Sequence, residues 1–244
     1  SFAHVALTRG GRVRLDERLS LADTGSPTFF FNNAFLLRPP VHEPFDAVLR
    51  EVETFFDSRP GGGVLLFSPW PTGVATRPGW ELTGHPPVMF RPPGGEPPPP
   101  SAGLRIQEVT DDELLSAFES VLVAGFPMDD VRPATPGCLL DGRVLEDGAF
   151  RCWIGSVDGR PVAAAAAHIG PDVVTVDWVT TLEEFRGRGY GAAVTWAAVR
   201  AEPRLPAVLI ASDPGRPVYE RMGFLALVRL TAWIRAERGL GPGA

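Results

Sequence analysis

The string Glu184-Phe-Arg186-Gly187-Arg188-Gly189-Tyr190-Gly191-Ala192 sets three glycines and two arginines between an apolar strand and an Ala-rich helix. Glycine lets backbone approach a ligand closely, and the first N–H groups of a helix have no partner within it. Such a turn can cradle a phosphate or diphosphate, with Arg186 and Arg188 adding charge beside it. Tyr219, one of only two tyrosines, lies farther on in Ser212-Asp-Pro-Gly215-Arg-Pro-Val-Tyr219-Glu-Arg-Met-Gly223-Phe224, and a phenol can hand over a proton. Asp177 interrupts the β-branched run Val173 to Thr181, where a carboxylate is unusual. Cys138 and Cys152 are the only thiols, and no C-x-x-C or H-x-x-x-H spacing could hold zinc, so no metal is expected.

These residues need elements to position them. Leu104 to Val109 reads as a strand, and Thr110-Asp-Asp-Glu113 is a capping signal opening a helix through about Val123. Phe150 to Val157 and Val162 to Ile169 are apolar runs around Asp158-Gly159, a hairpin dipeptide. Val173 to Thr181 follows as a strand, then the glycine turn and a helix from Tyr190 to about Ala201, stopped by Pro203. Ala207 to Ser212 (strand), Pro217 to Met222 (helix) and Phe224 to Trp233 (strand) complete a β-α-β-β-β-α-β-α-β order. The fold class expected is α/β, a mixed sheet with helices on its faces.

Composition removes several alternatives. All 23 basic residues are arginine, so neither a Walker A lysine nor a Schiff-base lysine is available. The formal net charge of -6 and the lack of a basic stripe argue against nucleic acid. No apolar stretch is long enough to span a membrane and the N-terminal residues form no signal peptide, so a soluble, cytoplasmic protein is expected. Gly187, Gly189 and Ala192 formally satisfy G-x-G-x-x-A, with Asp213 beyond, but a dinucleotide fold needs its glycines directly after the first strand. Here Leu182 to Arg186 intervene, and a hairpin precedes them.

Arg186-Gly-Arg-Gly189-Tyr-Gly191 matches R-x-x-G-x-G, and the segment Ser212 to Phe224 is similar to N-x-x-A-x-x-x-Y-x-x-x-G-F, with Ser212 for Asn and Gly215 for Ala. With both motifs in order, residues 104 to 235 resemble the GNAT superfamily of N-acetyltransferases. The resemblance implies the GNAT-type acyl-CoA fold and acetyl-CoA as co-substrate, bound by Val179, Thr180, Thr181, Arg186, Gly187, Arg188, Gly189, Tyr190, Gly191, Ala192 and Ser212. It implies Tyr219 as general acid and a backbone N–H around Val179 to Thr181 as oxyanion donor. The base stays open: Asp177 is the first candidate, Thr175 sits nearer the position where relatives place a glutamate, and Glu183, Glu184 and His168 are weaker choices. With no evident acyl-carrying nucleophile, direct transfer to a primary amine of a small molecule or peptide is expected. A non-catalytic acyl-CoA-binding or scaffolding protein is the alternative.

At an offset of 144, Val64-Leu-Leu-Phe-Ser68 overlays Val208-Leu-Ile-Ala-Ser212, Val74 falls on Val218, and Gly79-Trp80 on Gly223-Phe224. Ala75 takes the Tyr219 position and no R-x-x-G-x-G precedes residue 93, so the N-terminal lobe resembles a GNAT-like copy without its chemistry. Pro87 to Arg91 would be its last strand, Phe29 to Leu37 a buried strand, and Phe45, Val48, Val52, Phe55 and Phe56 a helical core face. The Pro/Gly-rich run from Arg91 to Pro100 reads as a linker. The expected organisation is residues 1–93 as degenerate lobe, 94–103 as linker and 104–244 as catalytic domain. Ten acids between Glu108 and Asp147 face only Arg132 and Arg143, which would favour a cationic acceptor amine.

Overall fold

The computed structural model describes residues 1–40, 43–57, 63–99 and 101–235. The first half of the chain holds α1 (Phe2–Thr8), β1 (Arg12–Leu15), β2 (Leu19–Asp23), β3 (Asn33–Leu36), α2 (Phe45–Phe56), β4 (Val64–Ser68), β5 (Trp80–Gly84) and β6 (Pro87–Arg91). The second holds β7 (Leu104–Glu108), α3 (Asp112–Gly125), β8 (Phe150–Val157), β9 (Arg160–Ile169), β10 (Val174–Thr181), α4 (Tyr190–Val199) and β11 (Ala207–Ile210). It ends with α5 (Arg216–Arg221), β12 (Leu225–Arg229) and β13 (Thr231–Arg235). None of the described helices is long and apolar enough to cross a membrane.

The strands form a seven-stranded sheet, β12-β6-β11-β10-β9-β8-β7, and a six-stranded sheet, β1-β2-β3-β4-β13-β5. The expected mixed α/β architecture is present: β10 pairs with β11 in parallel and with β9 antiparallel. In the seven-stranded sheet, β9 contributes the run Val162 to Ala167, all fully buried. Successive strand residues point to opposite faces, so these small side chains let helices lie close on both sides. Ala163, Ala165 and Ala167 share a core with Val194, Trp196 and Ala198 of α4. The start of α3 follows from Asp111, whose side chain accepts from Leu114 N–H at 2.9 Å.

Glu119 of α3, 1% exposed, accepts three backbone N–H bonds, from Gly137, Leu139 and Leu140, at 2.7–2.8 Å. A buried carboxylate on three main-chain donors ties the long α3–β8 connection to the helix.

The packing departs from the expected division of the chain. One compact unit is built on Pro87–Leu227, and the other gathers the described residues of Phe2–Pro86 and of 228–235. β6, expected as the last strand of the N-terminal lobe, lies instead between β11 and β12, with Arg91 opposite Ala207 and Val88 opposite Ile210. The run Phe224 to Trp233, expected as one strand, is interrupted at Leu230. Its second part, β13, pairs with β4 and β5 in the six-stranded sheet.

The two sheets nonetheless repeat one order. Placing β1 to β4 on β8 to β11 makes every neighbour agree, including the parallel pairs β3–β4 and β10–β11. At the offset of 144, β6 corresponds to β13, so each sheet is completed by the strand that local order would give to the other. The turn before α4 then corresponds to the connection Leu37 to Pro44 before α2. That connection contains no glycine, and Pro44, which has no N–H, stands at the cap. The six-stranded sheet thus has the strand order of the other, while the connection before α2 lacks the glycines of the turn before α4.

Two local expectations also change. Phe29–Phe31 is a 3-10 turn rather than strand, and the chain becomes extended only at Asn32. Its buried amide binds Thr24 N–H, Ser26 O and Gly63 O. The Pro/Gly-rich segment after β6 lies within the Pro87–Leu227 unit instead of joining two lobes.

Candidate active site

The site begins with a fault in β10. Trp178 has φ 50, and the pairing with β9 shifts register between Asp177 and Thr180, a bulge that bends the strand. A bulky residue with positive φ is strained by about 1–3 kcal/mol and persists only where packing holds it. The parallel pairing with β11 is confined to Val174–Ala207 and Thr175–Val208, so beyond Thr175 the two strands fork. Leu182 N–H donates to Val162 O on the β9 side. By strand alternation, the Thr181 and Val179 N–H groups point to the other edge, into the fork.

The glycine turn follows. Gly187 (φ 75) and Gly189 (φ 81) take left-handed conformations, and Gly189 is the N-cap of α4 with no side-chain cap. The Tyr190, Gly191 and Ala192 N–H groups at the helix start are therefore available to an anion. Arg186 Nε donates to Thr181 O at 3.1 Å, tying the turn to β10. Arg188 lies over the Phe185 ring and donates to Glu184 O. The Tyr190 side chain is buried in the core, so this residue offers its N–H and not its ring.

The other arm of the fork leads through Ser212 to α5. Ser212 Oγ accepts from Gly215 N–H at 3.1 Å, and a Cβ on Gly215 would stand 3.0 Å from that Oγ and 3.3 Å from the Tyr219 ring. Serine at 212 and glycine at 215 are therefore matched. Tyr219 packs edge-on to Phe224, and burial pushes its phenol up to about 12.

The fork, the turn and α5 enclose a cavity of about 980 Å³. Val179, Thr180, Thr181, Arg186, Gly187, Gly189, Tyr190, Gly191, Ala192, Ser212 and Tyr219 all line it. Arg188 and Asp177, also expected at the site, are not among its lining residues. Asp177 sits one residue before the bulged Trp178; its Oδ2 is buried without a hydrogen-bond partner, and burial holds its carboxyl above the ordinary value. Glu184 pairs with Arg160 at 2.6 Å. None of the ten acids between Glu108 and Asp147 lines the cavity. Glu119, Asp111, Asp141 and Glu108 among them serve backbone donors or arginines.

Sequence reasoning missed the rest of the lining. Gly125 and Phe126 close one side at the end of α3, where a Cβ on Gly125 would stand 2.2 Å from Thr180 Oγ1. Val218 and Met222 join Gly215 and Tyr219 along α5. Their i, i+3, i+4, i+7 spacing was a usable signal. Glu96 and Pro98, from the supposed linker, had none. Among the described residues no group of three or more His, Cys, Asp or Glu could hold a metal ion.

Residues 113–224 match the model of the acetyltransferase (GNAT) family. This part of the chain belongs to the GNAT family. Solved structures resemble the chain well beyond that GNAT domain. A GCN5-related N-acetyltransferase from Kribbella flavida, 22% identical with a TM-score of 0.61, is covered over 96% of its length by 99% of this chain. One from Sphaerobacter thermophilus is 12% identical with a TM-score of 0.57, over 96% of this chain and 90% of its own. A GCN5-related N-acetyltransferase-like protein from Streptococcus suis is 13% identical with a TM-score of 0.59, over 92% and 88%. At such identities the likeness is one of fold, and it takes in the six-stranded sheet as well as the GNAT domain. No curated protein matches the sequence.

Proposed function

We propose that the protein is an acetyl-CoA-dependent N-acetyltransferase that passes the acetyl group directly to a primary amine of a small molecule or peptide. The observation carrying this reading is that the forked strand edge, the glycine turn and Tyr219 line one cavity. The donor set fits the co-substrate: free N–H groups at Tyr190, Gly191 and Ala192 match a diphosphate, and the strand edge at Val179 and Thr181 matches an amide-bearing arm.

In the reaction the amine nitrogen bonds to the thioester carbonyl carbon, the C–S bond breaks, and the thiolate takes a proton. The Val179 or Thr181 N–H, fixed in direction by the fork, holds the developing oxyanion without reorganising. Tyr219, with its phenol near 12, stays protonated through the physiological range and donates to sulfur as charge grows there. Asp177 is the carboxylate nearest the bulge in sequence; since it does not line the cavity, it is the candidate to receive the amine proton through an intervening water. The acidic stretch supplies no cavity wall, so it gives the acceptor amine no charge preference.

Calorimetry with acetyl-CoA and a thiol-release assay over an amine panel test the reading. Binding and turnover are expected, and Tyr219→Phe should lower kcat roughly a hundredfold with little change in acetyl-CoA affinity. Binding without turnover on any amine would leave a non-catalytic acyl-CoA-binding protein as the better description.

A further inference from the structure

The segment Pro92–Pro99 with Ser101 lies outside the family match at residues 113–224, yet it borders the acyl-CoA cavity, which Glu96 and Pro98 line. It begins over Arg91, which is 7% exposed and has no ion-pair partner among the described residues. The Arg91 guanidinium donates to Met222 O at 2.8 Å, Pro92 O at 3.1 Å and Gly94 O at 2.6 Å, and stacks on Trp196 at 4.4 Å. Gly95, with φ 77, passes so close that a Cβ there would stand 2.6 Å from Arg91 Nη2. Glu96 then reaches Arg200 at 3.3 Å, beside the C-terminus of α4, and Glu96 and Pro98 line the cavity. Ser101 ends the run at the other end of α4, where its hydroxyl donates to Arg188 O at 2.8 Å.

We propose that this segment is a strap forming an additional wall of the acyl-CoA cavity, and that Ser101 is the positioning residue that sets the diphosphate turn. The proposal rests on the acetyl-CoA reading above. A trans peptide points its C=O and N–H in opposite directions. Holding Arg188 O on Ser101 therefore turns the Gly189 N–H away from the strap. Ser101 Oγ also stands 3.3 Å from where a Cβ on Gly189 would be, so the hydroxyl closes the one side of the turn that glycine leaves open. Without that bond, the left-handed pair at Gly187 and Gly189 loses its outside support, and glycines sample many other conformations. Proline at positions 92, 93, 97, 98 and 99 stiffens the strap, so little chain entropy is lost in holding Ser101 there.

The test uses the full chain and two probes, acetyl-CoA and S-acetylpantetheine, which lacks the diphosphate and nucleotide. Ser101→Ala should weaken acetyl-CoA roughly five- to tenfold in Kd and KM, with kcat much less affected, as expected for one lost hydrogen bond. Affinity for S-acetylpantetheine should stay within about twofold, and Ser101→Thr should restore acetyl-CoA binding. An unchanged acetyl-CoA Kd in Ser101→Ala, or an equal loss for both probes, would overturn the proposal. Failure of the unaltered protein to bind acetyl-CoA would instead overturn the function on which it rests, so the two failures are distinguishable.

Discussion

At the scale of single residues, the site is defined by groups whose environments are unusual for their type. Tyr219 is pushed up to about 12 by burial, above the value near 10 that a free phenol would bring to the same role. In the role proposed for it, Tyr219 would act as a donor whose proton moves only under developing charge. Asp177 carries the sharper prediction. Burial raises its carboxyl above 3.8, so the folded protein holds this proton to higher pH than the unfolded chain does. Stability consequently falls as pH rises through the interval from 3.8 to the raised value, and the full penalty persists above it. Asp177→Asn should raise Tm at pH 7, with the gain vanishing below about pH 4. The same variant should be slower and should lose an acidic limb of kcat/KM set by the raised carboxyl. Paired thermal and kinetic pH profiles check this; a variant as fast as the parent would remove Asp177 from catalysis. The motif residues Arg186 to Ala192 and Tyr219 were legible in sequence because each needs a particular chemistry at a particular spacing. Burial of Asp177 was not, since it depends on what packs over β10.

At the scale of elements, the bulge in β10 and the glycine entry to α4 shape the cavity, while the Glu119 clamp holds the α3–β8 connection. The clamp serves three backbone donors with one buried carboxylate. Glu119→Ala removes the acceptor of the buried Leu139 and Leu140 N–H groups and should cost about 3–5 kcal/mol, measured by denaturant unfolding. A loss under 1 kcal/mol would mean that water replaces the carboxylate at little cost. Helix starts and the β8–β9 hairpin were readable from capping residues and Asp158-Gly159, because those signals are local. The bulge was not, since Trp178 has no intrinsic preference for φ 50 and is forced there by its neighbours.

For the whole molecule, the exchange of β6 and β13 means that neither half of the sequence contains all the strands of its sheet. A fragment of residues 104–244 keeps both motifs but lacks β6, leaving β11 and β12 without the strand that lies between them. It should fail to unfold cooperatively or bind acetyl-CoA, whereas residues 87–229 should do both; calorimetry on the two fragments decides, and a stable 104–244 would contradict the exchange. The repeat at an offset of 144 was visible in sequence, as were the mixed α/β class and the lack of an R-x-x-G-x-G turn before residue 93. Those properties follow from residue types, spacing and periodicity, which local physics reads directly. Which sheet β6 and β13 join, and that the proline-rich run is a cavity wall, were decided only by tertiary packing. A strand's pattern specifies the face it buries, but its hydrogen-bonding edges are alike for either partner, so the choice between two similar sheets lies in long-range contacts.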